Sequence, residues 1–129
     1  MGRMDTNRCA VLILAAGSSS RMGRPKQILP WGEVTLLQNA VNSAKKSISD
    51  EVVVVLGANA ENIQKTLRSN VISVVNTNWQ NGMGSSIASG VQFLLKQKTR
   101  FTSILIMLGD QPLIDSDYLN NMMATFQVS

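Results

Sequence analysis

Cys9-Ala10-Val11-Leu12-Ile13-Leu14-Ala15 is an unbroken run of seven apolar residues. A strand with one wet face alternates apolar and polar side chains, whereas a run without alternation fits a strand buried on both faces. Such a strand needs paired neighbours and helices above and below it, which is the arrangement of a parallel α/β sheet. Three more runs fit the same sheet. Glu51–Leu56 contains four consecutive valines and stops at Gly57. Val71–Val75 is shorter and more alternating, so it is expected nearer an edge. Thr102–Leu108 is halted by Gly109-Asp110-Gln111-Pro112.

Helical periodicity fills the intervals. Leu36, Leu37, Ala40, Val41, Ala44 and Ile48 recur at helical spacing and predict a helix from Glu33 to about Ile48. Asn59 is a candidate cap for a helix carrying Ile63 and Leu67 on one face. A polar loop from Asn76 to Gly84 opens into a helix bearing Ile87, Val91, Leu94 and Leu95, with Lys96 and Lys98 near its negative end. Asp115 or Ser116 is expected to cap a last helix bearing Leu119, Met122, Met123 and Phe126. The sum is β-α-β-α-β-α-β-α in one domain over residues 1–129. The expected fold is a three-layer, Rossmann-like α/β fold, with a mostly parallel sheet and right-handed crossovers.

Composition narrows the chemistry. The 129 residues include no His and one Cys. That excludes a Ser-His-Asp or Cys-His nucleophile, an imidazole base and a His-ligated zinc site. Cys9 cannot form an internal disulfide, which fits a reduced cytoplasm. All twelve Lys and Arg lie at or before Arg100, and the last 29 residues carry only Asp110, Asp115 and Asp117 as charges. The first hundred residues are therefore +7 and the remainder −3, for a total of +4. An excess this small, without a dense basic stripe, does not predict nucleic-acid binding. Arg3 and Arg8 before Ala10–Ala16 only faintly imitate a signal peptide, and the Met1–Thr6 match to a myristoylation pattern is loose. No apolar run approaches the length of a membrane span. The reading is a soluble, cytoplasmic protein.

In such sheets ligands bind beyond the carboxyl ends of the strands. The loop after the first strand, Ala16 to Lys26, carries Gly17 and Gly23 for tight turns and Arg21, Arg24 and Lys26 as cations. Glycines that turn N–H groups inward beside cations suit phosphates. It is neither a Walker A loop nor G-x-G-x-x-G: Gly17 to Gly23 is one residue too long, and Pro25 forbids the Gly-Lys-Ser/Thr helix start. After the third strand, Gly82 and Gly84 permit close backbone approach, and Ser85 and Ser86 fall at a helix N-terminus that suits an anion or a polar ligand edge. After the fourth strand, Asp110 is expected at the sheet's upper rim, facing the first loop. It is either a turn aspartate bonding its own backbone or a carboxylate for Mg²⁺.

Leu14-Ala15-Ala16-Gly17-x-Ser19-x-Arg21-Met22-Gly23-x-Pro25-Lys26-x-x-Leu29-Pro30 resembles the signature of the MobA-like nucleotidyltransferases. Asn78-Trp79-x-x-Gly82-Met83-x-Ser85-Ser86 and Leu108-Gly109-Asp110-Gln111-Pro112 resemble the molybdenum cofactor cytidylyltransferase branch of that family. The resemblance runs from Val11 to about Phe126. It implies a nucleoside triphosphate under the first loop, attack by an acceptor's terminal phosphate on the α-phosphorus, loss of pyrophosphate, and Mg²⁺ bridging the phosphates. Arg21 would hold the β- and γ-phosphates, Lys26 would stabilise charge around the α-phosphate, and Asp110 would ligate Mg²⁺. Leu14, Ala15, Ala16, Gly17, Ser18 and Ser19, together with Gly82, Met83, Gly84, Ser85 and Ser86, would hold the nucleotide. Ala15-Ala16-Gly17, where the guanosine branch has Ala-Gly-Gly, implies CTP. A phosphate acceptor is already an anion, so the reaction needs no general base and tolerates the absence of His.

The resemblance also sets expectations about extent. Members of the family continue for several strands and helices beyond the Asp110 loop, so this chain is expected to be about the first two-thirds of a domain. In a sheet of order 3-2-1-4, Thr102–Leu108 would be an apolar edge and a site of self-association. Beside the cytidylyltransferase reading stand a nucleotide-binding module without turnover and a nucleotidyltransferase acting on a sugar or polyol phosphate.

Overall fold

A computed structural model describes residues 8–17, 20–21, 24–68, 71–110 and 114–121, with the backbone alone for 20, 21 and 24–26. Four parallel strands form the central sheet: β1 (Cys9–Ala15), β2 (Glu51–Leu56), β3 (Ile72–Val75) and β4 (Ser103–Leu108). Their order is β3-β2-β1-β4, as the sequence implies, with the shorter β3 at one edge. The helices are α1 (Leu36–Lys46), α2 (Ala60–Gln64), α3 (Met83–Leu95) and a last one, α4, described over 116–121. Met122, Met123 and Phe126, expected on that last helix, lie outside the described residues.

Every side chain of β1 is buried. Because side chains alternate across a strand, Cys9, Val11, Ile13 and Ala15 enter one core with α1, Ile63 of α2 and Leu119 of α4. Ala10 and Leu12 enter the other with Val53 and Leu94 of α3. Gly90 of α3 lies directly on this second core, where an added Cβ would come within 2.9 Å of both Leu12 methyls and 3.0 Å of Val55 Cγ2. Two helix layers thus sandwich the sheet.

Local departures from the sequence reading have identifiable causes. The first helix starts at Leu36, not Glu33, because Pro30–Trp31 and Val34–Thr35 pair as a small antiparallel hairpin. Gly32 turns that hairpin at φ +63°, and Thr35 caps the helix by accepting from Gln38 N at 3.0 Å. Asn59 occupies the N-cap position of α2, but its backbone is left-handed (φ +59°) and its side chain makes no cap bond. In the loop after β1, Ser20–Arg21 pairs with Arg24–Pro25, and a 3₁₀ turn over Lys26–Ile28 follows. On β4, Leu105 and Met107 join one core and Ile104 the other, whereas Ile106 is 41% exposed. The expected burial on both faces is therefore incomplete at this edge strand. No described helix is long and apolar enough to cross a membrane.

Gly90→Val should lower stability by about 1–3 kcal/mol, through overpacking against Leu12 and Val55. Urea unfolding checks this, and an unchanged midpoint would refute the tight packing of α3 on the sheet.

Candidate functional site

The four strands end level with one another. Ala15 pairs with Leu56 and Leu56 with Val75, while Leu14 pairs with Leu108. Backbone bonds continue past these ends. Ala58 N donates to Ala16 O at 3.0 Å, Asn76 N to Leu56 O at 2.6 Å, and Gly109 N to Leu14 O at 3.0 Å. The loops are thereby laced together at their roots, and a cavity of about 410 Å³ opens above them.

Leu14, Ala16, Gly17 and Gln27 line the cavity from the β1 side, Trp79, Gln80, Gly82, Met83 and Ser86 from the loop after β3, and Leu108 and Asp110 from the end of β4. Seven of the residues anticipated from sequence thus surround one space: Leu14, Ala16, Gly17, Gly82, Met83, Ser86 and Asp110. Ala15 is buried just below it and Gly84 is exposed; neither lines it. Ser18 and Ser19 lie outside the described residues, as do the side chains of Arg21 and Lys26. Met22, Gly23, Gln111 and Pro112 of the motifs are likewise outside them.

The loop after β3 is held by one buried amide. Asn76 Nδ2 donates to Ser85 Oγ (2.9 Å) and Ser86 Oγ (3.0 Å), and Asn76 Oδ1 accepts from Asn78 N at 3.0 Å. Ser85 Oγ in turn lies 2.8 Å from Gly82 O and 3.0 Å from Asn78 O, sharing its proton between them. Ser85 therefore braces the loop and does not line the cavity, while Ser86 does both. Gly82 has φ +100°, a conformation L side chains rarely adopt, and the helix starts immediately after it at Met83.

Three residues of the site were not singled out from sequence. Asn76 was read only as the start of a polar loop. Gly57 was read as a strand stop, yet an added Cβ there would come within 2.6 Å of Trp79 Cβ and 2.8 Å of Ala16 O. Its missing side chain is what lets the Trp79 loop approach the β1 loop. Gln27 is 5% exposed; its Nε2 donates to Ala15 O and Gly17 O, at 3.4 Å each. Among the described residues no donor reaches Gln27 Oε1, an omission that ordinarily costs about 1–3 kcal/mol. Among the described residues, no three His, Cys, Asp or Glu gather as a metal site.

A family model for the MobA-like NTP transferase domain matches residues 11–129. The chain belongs to that family. The MobA-like chain is 35% identical over 118 residues to the bifunctional protein GlmU of Francisella tularensis subsp. novicida, a match covering 90% of this chain and 25% of GlmU. Among solved structures it resembles a nucleotidyl transferase from Methanothermobacter thermautotroptrophicus (Mth528), with TM-score 0.80 and 26% identity over 92% of this chain and 57% of that one. It also resembles Rv0371c from Mycobacterium tuberculosis H37Rv, with TM-score 0.78 and 25% identity over 97% of this chain and 63% of that one. The chain thus spans about a quarter of the GlmU it matches and three-fifths of these two solved chains.

Gly57→Ala should force Trp79 outward. In a Trp31→Phe background, where Trp79 is the remaining tryptophan, its fluorescence should shift to the red and stability should fall by about 1–3 kcal/mol. Unchanged emission would refute the close approach.

Proposed function

We propose that this chain transfers a nucleotidyl group, CMP from CTP, to a phosphate-bearing acceptor and releases pyrophosphate. The observation that carries the reading is the convergence of all three motif loops on one cavity, in a chain of the MobA-like family. The acceptor's phosphate oxygen attacks the α-phosphorus, and the bond to the β-phosphate oxygen breaks. No proton has to leave the attacking oxygen, which suits a chain without His. In this reading Arg21 holds the β- and γ-phosphates, and Lys26 stabilises charge as it builds around the α-phosphate. The backbone of Ala15–Gly17 and the Gly82–Ser86 loop, with Leu14, Ser18 and Ser19, enclose the nucleoside.

Asp110 lines the cavity and is half-buried. A single carboxylate beside a phosphate site fits Mg²⁺, which takes one or two protein carboxylates and completes its shell with phosphates and water. When bound there, the ion would supply charge neutralisation for the departing pyrophosphate.

A molybdopterin-type acceptor follows from the motif resemblance, and the Ala15-Ala16-Gly17 triplet supports CTP. A sugar or polyol phosphate stands as the second acceptor class. The deciding assay is pyrophosphate release from CTP with Mg²⁺ across a panel of pterin, sugar and polyol phosphates. Asp110→Asn should abolish metal-dependent release; unchanged release would remove Asp110 from the metal site. CTP at about 100 times its Kd should stabilise the chain by about 2.7 kcal/mol. Stabilisation without release for any acceptor would leave a binding module without turnover. The open edge of β4 is proposed as a self-association site. A mass rising with concentration in light scattering is expected, and a constant monomer mass would count against it.

A further inference from the structure

We propose that two copies of this chain pair through the outer edge of β4, antiparallel about a two-fold axis at Leu105, so that Arg100 of each copy stands beside the Asp110 end of the other's β4. This rests on the self-association reading of that edge and adds to it the direction of the partner strand, its register and the charges that select it.

β4 ends the sheet, and among the described residues no strand pairs with its outer edge. The edge is apolar and open. Ile106 is 41% exposed and Tyr118 52%, and a groove of about 230 Å³ is lined by Leu105, Ile106 and Met107 of β4 and by Tyr118 and Leu119 of α4. The backbone is directional there. Ser103 N and Gly109 N donate inward, to Arg8 O and Leu14 O. Because amides alternate along a strand, Leu105 and Met107 also turn theirs to β1, while Ile104, Ile106 and Leu108 turn theirs outward. Those three residues offer the N–H and C=O groups that a further strand would take up.

The charges at the two ends of β4 select the occupant. Exposed Lys96, Lys98 and Arg100 precede the strand, and Asp110 and the exposed Asp115 and Asp117 follow it. A second copy running antiparallel sets each basic end against an acidic end, whereas a parallel copy sets like charges together. A two-fold axis perpendicular to the sheet makes the contact isologous and keeps each helix layer on its own side. Opposed residues then share a face, so the axis passes through a residue and not between two. Centred on Leu105, it pairs Ile104 with Ile106 through their outward backbone groups and brings Arg100 level with Asp110. Centring it one residue to either side moves Arg100 off Asp110.

Sedimentation equilibrium of the full chain measures the dimer constant, and cysteine substitution reads the register. Wild type should dimerise reversibly. Arg100→Glu should weaken the dimer about ten-fold, because repulsion replaces attraction at both ends of the paired strands. Lys65→Glu, the same charge change at the C-cap of α2, should stay within about two-fold of wild type. In a Cys9→Ala background, Leu105→Cys should form a disulfide-linked dimer under mild oxidation, and Ile106→Cys should not. Opposed residues of a non-hydrogen-bonded pair have Cα atoms about 4.5 Å apart, within reach of a disulfide. If Leu105→Cys fails to fold, the exposed Arg100 still decides. Linkage at Ile106→Cys in place of Leu105→Cys, or an Arg100→Glu dimer as tight as wild type, would overturn this pairing while leaving self-association intact. A constant monomer mass at every concentration would overturn both.

Discussion

The burial of β1 is the constraint from which the rest of this molecule follows. It bonds to β2 on one side and β4 on the other, and its side chains are sealed by α1 on one face and α3 on the other. A strand enclosed in this way has no freedom to slip, since a shift of one residue would exchange the side chains of the two cores. The register it imposes makes Ala15, Leu56, Val75 and Leu108 the last residues of a level edge. Three chemically distinct loops leave that edge at a common height, which is why one cavity can draw residues from all of them.

A level edge creates a platform, and small residues then determine how closely the loops gather on it. Gly57 admits Trp79 on one side and the Ala16 carbonyl on the other. Gly109 performs a similar service at the end of β4, where a Cβ would come within 2.9 Å of Leu37 Cδ1 and 3.3 Å of Leu14 O. Two buried amides then fix the loop conformations. Asn76 spends both ends of its carboxamide inside the loop after β3. Gln27 donates from its amide nitrogen to the loop after β1, at Ala15 O and Gly17 O.

What could be read in the sequence divides along this line. The unbroken run Cys9–Ala15 and the valines of Glu51–Leu56 announce strands buried on both faces, whereas the strand order was expected from the family resemblance. Gly17, Gly82, Ser86 and Asp110 were legible because glycines, a helix start and a post-strand carboxylate carry local signals, and Met83 through the family resemblance. Gln27, Asn76 and Gly57 carry none. A polar residue after a lysine, an asparagine after a strand and a glycine at a strand end are each ordinary locally, and only tertiary approach gives them roles. The late start of α1 has the same origin: the periodicity begins near Glu33, but Gly32 folds the chain into a hairpin that takes Val34 and Thr35 into a strand. Asn59 has the composition of a cap without its bond, because the turn after Gly57 holds its backbone left-handed.

The charge distribution acquires a spatial meaning once the strand order is fixed. Because β4 lies next to β1, the start of the chain's acidic last 29 residues is folded back until Asp110 borders the same cavity as Gly17. Distant parts of the sequence thus deliver a loop whose sequence is rich in cations and the Asp110 carboxylate to one edge of one sheet. A polyphosphate needs both: cations to hold its oxygens, and an anion to retain a metal ion that neutralises those the cations do not reach. Under the proposed nucleotidyl transfer, a uniformly basic rim would bind the phosphates without recruiting a metal, and a uniformly acidic one would repel them. Under the proposed transfer, the absence of histidine fits the same division, because an acceptor that arrives as a phosphate anion asks the protein for position and charge and not for a base.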